Sequence, residues 1–321
     1  MVTVGIDVSK ATLDVIVMDE TQQTAYIQLS NDGKGYAQLK RWLTKHDAAG
    51  SVVCLEATGH YSDGVAEYLF EAGYRVSVVN PARIKGYAQS QMRRNKTDKL
   101  DARLIADFAR TQSLEVWTPP PPELRELQAL VRHLAALEET KQQCANRLRE
   151  ATAPLVISQL QAQLAFLADQ IKALHKAIHD HIDQNPSLKR QRDLIASIPG
   201  LGDLSAAKLL AECRPLTNFD NVRQLVAFAG LNPTHHDSGS SIHKKAHISK
   251  CGNSAIRAAL YMPAIVAKRH NPLLRTFAQR LLDQGLAPMA VVVAVMRKLL
   301  HLVFGVLKSG CPFDPNFASA S

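Results

Sequence analysis

The sequence predicts an α/β domain with a mixed sheet, followed by a helical region and then a mainly α-helical domain. Strand-like and helix-like patterns alternate through the first part of the chain, which is typical of an α/β sheet. Four consecutive prolines at 119–122 then interrupt it, because no helix continues through such a run. Long Leu/Ala-rich helical patterns dominate the rest of the chain. We therefore expect three parts, over residues 1–117, 118–187 and 188–321.

The first three strands form a predicted meander of hairpins. Val2 to Val8, Thr12 to Met18 and Ala25 to Leu29 have strand-like patterns, and Asp19 to Gln23 is a turn-like connection. Asp7 interrupts the apolar run of the first strand, which makes it a candidate functional residue.

Two more strands alternate with helices before the first domain ends. The predicted order is a helix over Gly35 to Lys45, a strand over Ser51 to Leu55, a helix over Ser62 to Ala72, and a strand over Tyr74 to Val79 that Asn80-Pro81 stops. Glu56 falls at the C-terminal end of its strand. Because ligand sites in open α/β sheets gather at such strand ends, Glu56 joins Asp7 as a candidate.

A pair of aspartates stands at the start of the next predicted helix. Asp98 and Asp101, in the stretch Asn95-Lys96-Thr97-Asp98-Lys99-Leu100-Asp101-Ala102, are spaced so that a helix places both on one face. Asp107 lies well round the same helix and is not their partner. Two interpretations stay open. The pair holds a metal ion beside a phosphate chain, or it only caps the helix and offsets its dipole.

An acidic cluster of Asp7, Glu56, Asp98 and Asp101 is expected if the sheet brings the strand ends and the helix together. Close carboxylates repel one another, and a divalent cation among them removes that repulsion. Mg²⁺ prefers such oxygen ligands, with Mn²⁺ as a substitute, whereas these residue types suit zinc poorly. Two such ions can hold the attacking and leaving oxygens of a phosphodiester exchange.

The charge balance favours a polyanionic partner. The chain has 38 Lys and Arg residues against 29 Asp and Glu, a formal net charge of +9, which favours nucleic acid before membrane. The candidate nucleic-acid-binding cations are Arg93, Arg94, Lys96, Lys244, Lys245, Lys250 and Arg257.

Cysteine usage and apolar content indicate a cytoplasmic protein with no membrane partner. The 5 cysteines are scattered and form no C-x-x-C pair, which is typical of a reducing compartment. The N-terminal residues show no signal-peptide core. The apolar C-terminal stretch Met289 to Leu307 is predicted to be a buried helix rather than a membrane span.

Two long helices are predicted in the central region. Glu123 to Glu150 and Val156 to Ile182 carry Leu or Ile every three or four residues, with Pro154 between them. The pattern fits an antiparallel or coiled-coil pair, and it fits equally two helices packed on their own domain. Both interpretations stay open.

A polar, basic segment, Thr234 to Asn253, separates the C-terminal helices and is predicted to be a flexible loop. Its Ser238-Gly239-Ser240-Ser241 stretch offers hydroxyl groups among lysines. A serine that attacks phosphorus forms a covalent phosphoserine link to DNA, but a hydroxyl is a poor nucleophile until a base or metal removes its proton. A loop that only contacts phosphate groups is the other interpretation.

Several motifs recur in one order along the chain. They are Gly5-Ile6-Asp7-Val8-Ser9-Lys10, Glu56-Ala57-Thr58-Gly59, Asn95 to Ala102, Ile198-Pro199-Gly200-Leu201-Gly202, Phe228-Ala229-Gly230-Leu231, Ser238 to Ser241, and Arg257-Ala258-Ala259-Leu260-Tyr261-Met262. Together they resemble the DEDD insertion-sequence transposases, the Piv/MooV-like "one-ten" group of bridge-RNA-guided recombinases. The resemblance covers nearly the whole chain.

This resemblance implies a fold, a chemistry and partners. It implies an N-terminal RuvC-like (RNase H) domain whose four acids are Asp7, Glu56, Asp98 and Asp101, and a C-terminal transposase domain whose nucleophile is Ser238. In the family a structured non-coding bridge RNA pairs with donor and target DNA. The enzyme assembles as a tetramer in which domains of different protomers compose each active site. A bacterial cytoplasmic protein, associated with the nucleoid when active, is expected.

The leading hypothesis is therefore an RNA-guided DNA transposase or recombinase. A Holliday-junction-type metal nuclease would use only the acidic cluster and would leave the Ser238 loop without a chemical role. A non-enzymatic nucleic-acid-binding regulator would fit the charge but not the four acids. An actin-like sugar kinase is disfavoured because Val8-Ser9-Lys10 lacks the glycine that its phosphate loop needs, and no P-loop pattern is present.

Overall fold

The computed structural model describes residues 2–57, 59–91, 97–213, 219–238, 242–249 and 252–315. The chain divides into two units, Met1–Pro119 and Pro120–Ser321, and the division falls inside the proline run. The finer separation of a helical region over 118–187 from a domain over 188–321 stays a prediction.

A five-stranded mixed sheet organises the first unit, as the alternating pattern predicts. Its strands are β1 (Thr3–Val8), β2 (Thr12–Met18), β3 (Thr24–Ser30), β4 (Val52–Glu56) and β5 (Arg75–Val79). Their order across the sheet is β3-β2-β1-β4-β5. The β1–β2 and β2–β3 pairs are antiparallel, whereas β4 is parallel to both β1 and β5. β1 is therefore the strand at which the meander meets the parallel half.

In the described residues of the first unit, four α-helices cover the two faces of this sheet, and a short 3-10 helix, Gly59–Tyr61, precedes the second of them. The four are α1 (Gly33–Lys45), α2 (Asp63–Glu71), α3 (Pro81–Ser90) and α4 (Asp98–Thr111). Alternation along β1 sends Val4, Ile6 and Val8 into a core shared with α1 and α2. The alternate residues of β1 face α4, where the Thr3 hydroxyl donates to the Ala106 carbonyl at 3.3 Å.

The local sequence sets where α3 and α4 begin. Asn80 caps α3 by accepting a hydrogen bond from the Ala82 N–H, and proline occupies the first helical position. The sequence pattern does not predict this helix, because Asn80-Pro81 indicates only the end of β5. Thr97 caps α4 by accepting from the Leu100 N–H, so Asp98 is the first helical residue and not the cap.

Gly5 lets α4 lie directly against β1. A Cβ atom at Gly5 would be 2.3 Å from both the Ala102 carbonyl oxygen and the Ala106 backbone nitrogen. Because both contacts are with backbone, no side-chain rotation relieves them. The absence of a side chain at Gly5 thus fixes the distance between the strand and the helix.

The second unit is built from eight helices and a hairpin in its described residues. The elements are α5 (Pro122–Glu150), α6 (Pro154–Gln184), α7 (Pro186–Ala196), α8 (Asp203–Glu212), α9 (Val222–Phe228), β6 (Pro233–Ser238), β7 (Ile242–Ile248), α10 (Ser254–His270), α11 (Pro272–Asp283) and α12 (Pro288–Ser309). One hydrophobic core includes residues of all eight helices.

The long helices α5 and α6 form an antiparallel pair, which confirms that part of the prediction. Near their connection the Cys144 thiol lies 3.5 Å from the Leu160 carbonyl oxygen. At the far end His181 Nε2 lies 2.8 Å from the Glu123 carbonyl oxygen. Leu127 and Ile182 at that far end are buried in the core shared with the C-terminal helices. Whether the pair acts as a coiled-coil linker stays a prediction.

The prediction of a flexible loop from Thr234 to Asn253 is wrong for two stretches of it. β6 and β7 pair antiparallel, with Ser238 opposite Ile242 at one end and Pro233 opposite Ile248 at the other. The pattern hid this hairpin because the strands contain few apolar residues, so the alternation that identifies a strand is weak.

The apolar C-terminal stretch forms a core helix, as predicted. α12 is long and apolar enough to cross a membrane by length and composition, and half of its most apolar window is buried inside the protein. Val291, Val295, Leu299 and Leu300 are fully buried in the core of the second unit.

Gly5→Ala is expected to lower the free energy of unfolding of the first unit by about 1–3 kcal/mol or more, because the added methyl forces α4 away from β1. Both tryptophans of the chain, Trp42 and Trp117, lie in the first unit, so urea unfolding followed by tryptophan fluorescence reports on that unit. Gly86→Ala in α3 is the control, because a Cβ there meets nothing within 4 Å. A Gly5→Ala midpoint equal to that of Gly86→Ala would contradict the packing argument.

Candidate active site

Asp7 and Glu56 are neighbours at the ends of two parallel strands. The β1–β4 register pairs Gly5 with Cys54 and Ile6 with Leu55, so the next step places Asp7 beside Glu56. Strand alternation puts Asp7 on the same face as Gly5, which is the face covered by α4. Glu56 shares that face because it follows Cys54 by two residues, and Cys54 packs with residues of α4. The topology therefore brings these two predicted acids together.

Asp98 and Asp101 lie in the first turn of α4. The Asp101 N–H donates to the Thr97 carbonyl at 2.8 Å, which closes that turn. The next residue, Ala102, contacts Gly5 through its carbonyl oxygen. The β1–α4 contact thus holds the aspartate pair close to the end of β1, where Asp7 lies. Asp107 is not part of this group, as predicted: it accepts a hydrogen bond from the Tyr87 hydroxyl and pairs with Arg110.

The electrostatics of Asp7 show that the carboxylates interact. Burial is the largest cause that raises the pKa of Asp7 from 3.8 to about 6, and the charges of Asp101, Glu56, Asp98 and Asp14 contribute in that order. Such a shift means that the ionised form of Asp7 is disfavoured by its surroundings. The four predicted acids, Asp7, Glu56, Asp98 and Asp101, thus interact electrostatically, and together they form what we call the acid group.

The donor set suits a hard divalent cation. Carboxylate oxygens are the ligands that Mg²⁺ and Mn²⁺ take in proteins, and the raised pKa of Asp7 marks negative charge that a cation would neutralise. In the part of the chain that the structure describes, no group of three or more His, Cys, Asp or Glu side chains is gathered tightly enough to hold an ion.

A further acid, Asp14, lies beside this group, and the sequence-based prediction does not include it. It pairs with Asp7 across the antiparallel β1–β2 ladder, and only 2% of its surface is exposed. A signal was present, because Asp14 interrupts the apolar run of β2 as Asp7 interrupts that of β1. The opposite register of the two strands could not be read from the sequence.

Ser238, the predicted nucleophile, ends strand β6 in the second unit. The base of its hairpin is fixed to the helical core: the Ser249 N–H donates to the Asn232 carbonyl at 2.9 Å, and the Asn253 N–H donates to the Phe228 carbonyl at 2.8 Å. Gly252 permits this closure, because a Cβ there would lie 2.4 Å from the Phe228 carbonyl oxygen.

Buried Glu212 connects this base to the long helix α5. Arg132 donates to both of its carboxylate oxygens, at 2.8 and 3.1 Å. The Asn253 side chain donates to the same carboxylate at 3.0 Å while its oxygen caps α10. Glu212 is only 4% exposed, so these hydrogen bonds offset the free-energy cost of burying its carboxylate.

The predicted nucleic-acid-binding cations have different placements. Arg257 is half-buried, and its Nη1 donates to the Ala229 and Gly252 carbonyls at 3.0 and 3.2 Å, so it also stabilises the hairpin base. Lys244 and Lys245 lie in β7. Four others lie outside the described residues: Arg93, Arg94, Lys96 and Lys250.

Two family models match separate parts of the chain. A transposase model of the DEDD type, DEDD_Tnp_IS110, matches residues 4–153, a range that contains the four acids. The model described as "Transposase IS116/IS110/IS902 family" matches residues 192–279, a range that contains Ser238.

Similar proteins extend over most of the length. The "Pilin gene-inverting protein" of Moraxella bovis is 32% identical over 316 residues, 97% of each chain. The protein of the same name from Moraxella lacunata is also 32% identical over 97% of each chain. The "Transposase for insertion sequence element IS1111A" of Coxiella burnetii is 25% identical over 83% of this chain and 78% of its own.

Asp7→Asn is expected to stabilise the first unit at neutral pH in the absence of divalent cations. The pKa of Asp7 is about 6 in the folded protein, above its ordinary value of 3.8. The wild-type protein therefore has its full stability only below the lower value, where Asp7 is protonated in both the folded and the unfolded state. It loses stability as the pH rises through the higher value, because Asp7 ionises more easily in the unfolded state. Removing the charge should add about 1–2 kcal/mol at pH ~7.5, after allowance for solvent screening at a half-buried site.

The gain should vanish by about pH 4, where wild-type Asp7 is protonated. Urea unfolding by tryptophan fluorescence across this range, with chelator present, measures it. Asp19→Asn is the control of opposite sign, because hydrogen bonds from Thr21 and Gln23 lower the pKa of Asp19. A gain for Asp7→Asn that does not change with pH would contradict the assignment.

Proposed function

Because the chain belongs to the IS116/IS110/IS902 family of transposases and is thus a DNA recombinase, we propose that it cuts and exchanges DNA strands through a phosphoserine link at Ser238. The acids Asp7, Glu56, Asp98 and Asp101 support this reaction by holding Mg²⁺, or Mn²⁺ in its place. The DNA substrates are the donor and target sites of an insertion sequence.

One observation carries the metal part of the proposal: Asp7 lies at a strand end where burial, and after it the charges of four other carboxylates, raise its pKa. When bound, a divalent cation would neutralise this charge and polarise a phosphate oxygen. The residues that would hold it are the four acids, and the β1–α4 contact is what keeps them close before it binds.

The serine step conserves the energy of the phosphodiester. A bond forms between Ser238 Oγ and phosphorus, and the bond from phosphorus to one sugar oxygen breaks. The serine proton ends on the sugar hydroxyl that is released. Attack by the hydroxyl of another strand reverses the step and reseals the DNA without ATP.

The second unit supports Ser238 by the way its hairpin is anchored. Glu212, Asn253 and Arg257 hold the hairpin base against the helical core. Gly239, which follows Ser238, permits close approach of backbone and phosphate. A nucleophile on a well-supported hairpin can meet phosphorus in a defined direction.

The proposed partners and assembly follow the family pattern. A structured bridge RNA pairs with donor and target DNA and thereby chooses the sites. The active form on DNA is a homotetramer, with a RuvC-like first domain, a coiled-coil linker over 118–187 and a serine-bearing domain over 188–321. The protein acts in the bacterial cytoplasm at the nucleoid.

A metal nuclease is the second candidate, because the acid group alone could support hydrolysis. The relative named for pilin gene inversion favours exchange over hydrolysis, because inversion of a DNA segment requires that cut strands be rejoined. A regulator without catalysis leaves the charge accumulated around Asp7 without a use.

Ser238→Ala is expected to abolish both the protein–DNA adduct and strand exchange, because no other group replaces the hydroxyl. Asp7→Ala and Asp101→Ala should do the same if bound cations activate the serine. The measurement is a denaturing gel of labelled DNA incubated with enzyme, RNA and Mg²⁺, with and without protease.

Ser240→Ala and Ser241→Ala are the matched controls and should keep the adduct. An adduct that persists in Ser238→Ala would move the nucleophile to another residue. Clean cleavage without an adduct in any variant, including wild type, would instead establish the nuclease alternative.

Replacing Arg93, Arg94 and Lys96 together with glutamine is expected to weaken DNA binding and flatten its salt dependence. Each phosphate contact contributes about −0.9 to the slope of log K against log salt, so loss of three contacts should reduce the slope by roughly 2–3. Fluorescence anisotropy of labelled duplex DNA over a salt series measures the slope.

The control is a triple glutamine variant of cations on α1, which packs on the other face of the sheet from α4: Lys34, Lys40 and Arg41. It removes the same formal charge and should leave the slope closer to wild type. Equal slopes for the two triple variants would remove the 93–96 segment from the interface.

A further inference from the structure

Tyr26, on the edge strand β3, is hydrogen-bonded to Asp14, the buried aspartate next to Asp7. Its hydroxyl donates to Asp14 Oδ1 at 2.6 Å, and Gln28 Nε2 lies 3.2 and 3.3 Å from the two Asp14 oxygens. Asp14 is the cross-strand partner of Asp7 and is almost fully buried. Because a buried carboxylate needs hydrogen bonds to its oxygens, these two donors determine how Asp14 is held.

The same tyrosine contacts the helix that carries the other acids. The Lys99 ammonium lies 4.9 Å from the centre of the Tyr26 ring, within the range of a cation–π interaction. Lys99 stands between Asp98 and Asp101 in the first turn of α4. Tyr26 therefore contacts residues on both sides of the acid group, Asp14 of the sheet through its hydroxyl and Lys99 of the helix through its ring.

We propose that Tyr26 is a positioning residue for the acid group. Its contacts hold the first turn of α4 against the strands beside Asp7. This inference rests on the proposed function, in which that group holds a divalent cation. Tyr26 does not touch the reacting atoms. It acts by fixing where Asp98 and Asp101 stand relative to Asp7.

The first turn of α4 needs a stabilising contact in addition to the one at Gly5. The Gly5 contact holds the helix at Ala102 and Ala106, both of which come after the aspartate pair. The Lys99–Tyr26 contact lies ahead of them, so the two contacts bracket Asp101. Hydrogen bonding to Asp14 and burial raise the pKa of Tyr26 to about 12, so its hydroxyl remains a donor through the neutral range.

Removal of the ring should therefore weaken cation binding and loosen the turn. Tyr26→Leu is expected to raise the dissociation constant for Mn²⁺ about tenfold or more, the usual effect of losing a group that orients metal ligands. Amide hydrogen exchange at Asp101, whose N–H closes the first turn with Thr97, should become faster. Calorimetry with Mn²⁺ and exchange without metal, both on the full chain, measure the two effects.

Lys99→Met separates positioning from charge. Removing a cation from an acidic group would tighten Mn²⁺ binding if charge alone mattered. Positioning predicts weaker binding, as in Tyr26→Leu. A Tyr26→Leu/Lys99→Met double variant should bind no worse than Tyr26→Leu, because the ring contact that Lys99→Met removes is already absent from Tyr26→Leu. Tyr26→Phe, which keeps the ring, should retain most of the protection of the turn.

Tyr36→Leu is the matched control. Tyr36 also belongs to the first unit and donates its hydroxyl to a side chain, Asn31 Oδ1, at 2.7 Å, but it packs on the α1 face of the sheet. The same substitution there should leave Mn²⁺ affinity and exchange at Asp101 unchanged.

The outcomes distinguish this inference from the proposed function. If Tyr26→Leu matches Tyr36→Leu in both measurements, or if Lys99→Met binds Mn²⁺ more tightly, the positioning role is overturned. If wild type binds no Mn²⁺, or Asp101→Asn binds it equally well, the proposed metal centre fails. Exchange at Asp101, which needs no metal, still decides whether Tyr26 holds the turn.

Discussion

The close approach of α4 to β1 at Gly5 is the constraint on which the acid group depends. Backbone atoms of Ala102 and Ala106 occupy the space that any side chain at Gly5 would need. This contact sets the first turn of α4 over the ends of β1 and β4, where Asp7 and Glu56 lie side by side. A cost accompanies the arrangement, because carboxylates held near one another and partly out of water disfavour ionisation. Burial first, and then the neighbouring carboxylates, raise the pKa of Asp7 to about 6.

The acids themselves could be found from the sequence because they break local patterns. Asp7 interrupts an apolar strand, Glu56 follows one, and Asp98 and Asp101 have the spacing of one helix face. That the four acids lie close together could not be predicted in the same way. It depends on the order and register of the strands, and local sequence patterns do not contain that information. Asp14 and Tyr26 were missed for this reason: their roles exist only through cross-strand pairing of β1, β2 and β3.

Sequence reasoning failed more plainly where polar residues form regular structure. The β6–β7 hairpin has little apolar alternation, yet it pairs over most of its length and is closed at its base by backbone hydrogen bonds. Buried Glu212 organises that base by joining Arg132 of α5 to Asn253 at the start of α10. Neither the burial of Glu212 nor its two partners, 80 and 41 residues away, has a local signal. The hairpin that carries Ser238 is thus supported by long-range polar contacts.

We propose above all that the acids beside the β1–α4 contact form a divalent-cation centre. The most direct measurement is anomalous diffraction from crystals of the enzyme–DNA complex grown with Mn²⁺. We expect an anomalous peak at ligand distance from oxygens of Asp7 and of at least one residue of the α4 pair, Asp98 or Asp101. Mn²⁺ bound elsewhere, with the four carboxylates pointing apart in the presence of DNA, would contradict it.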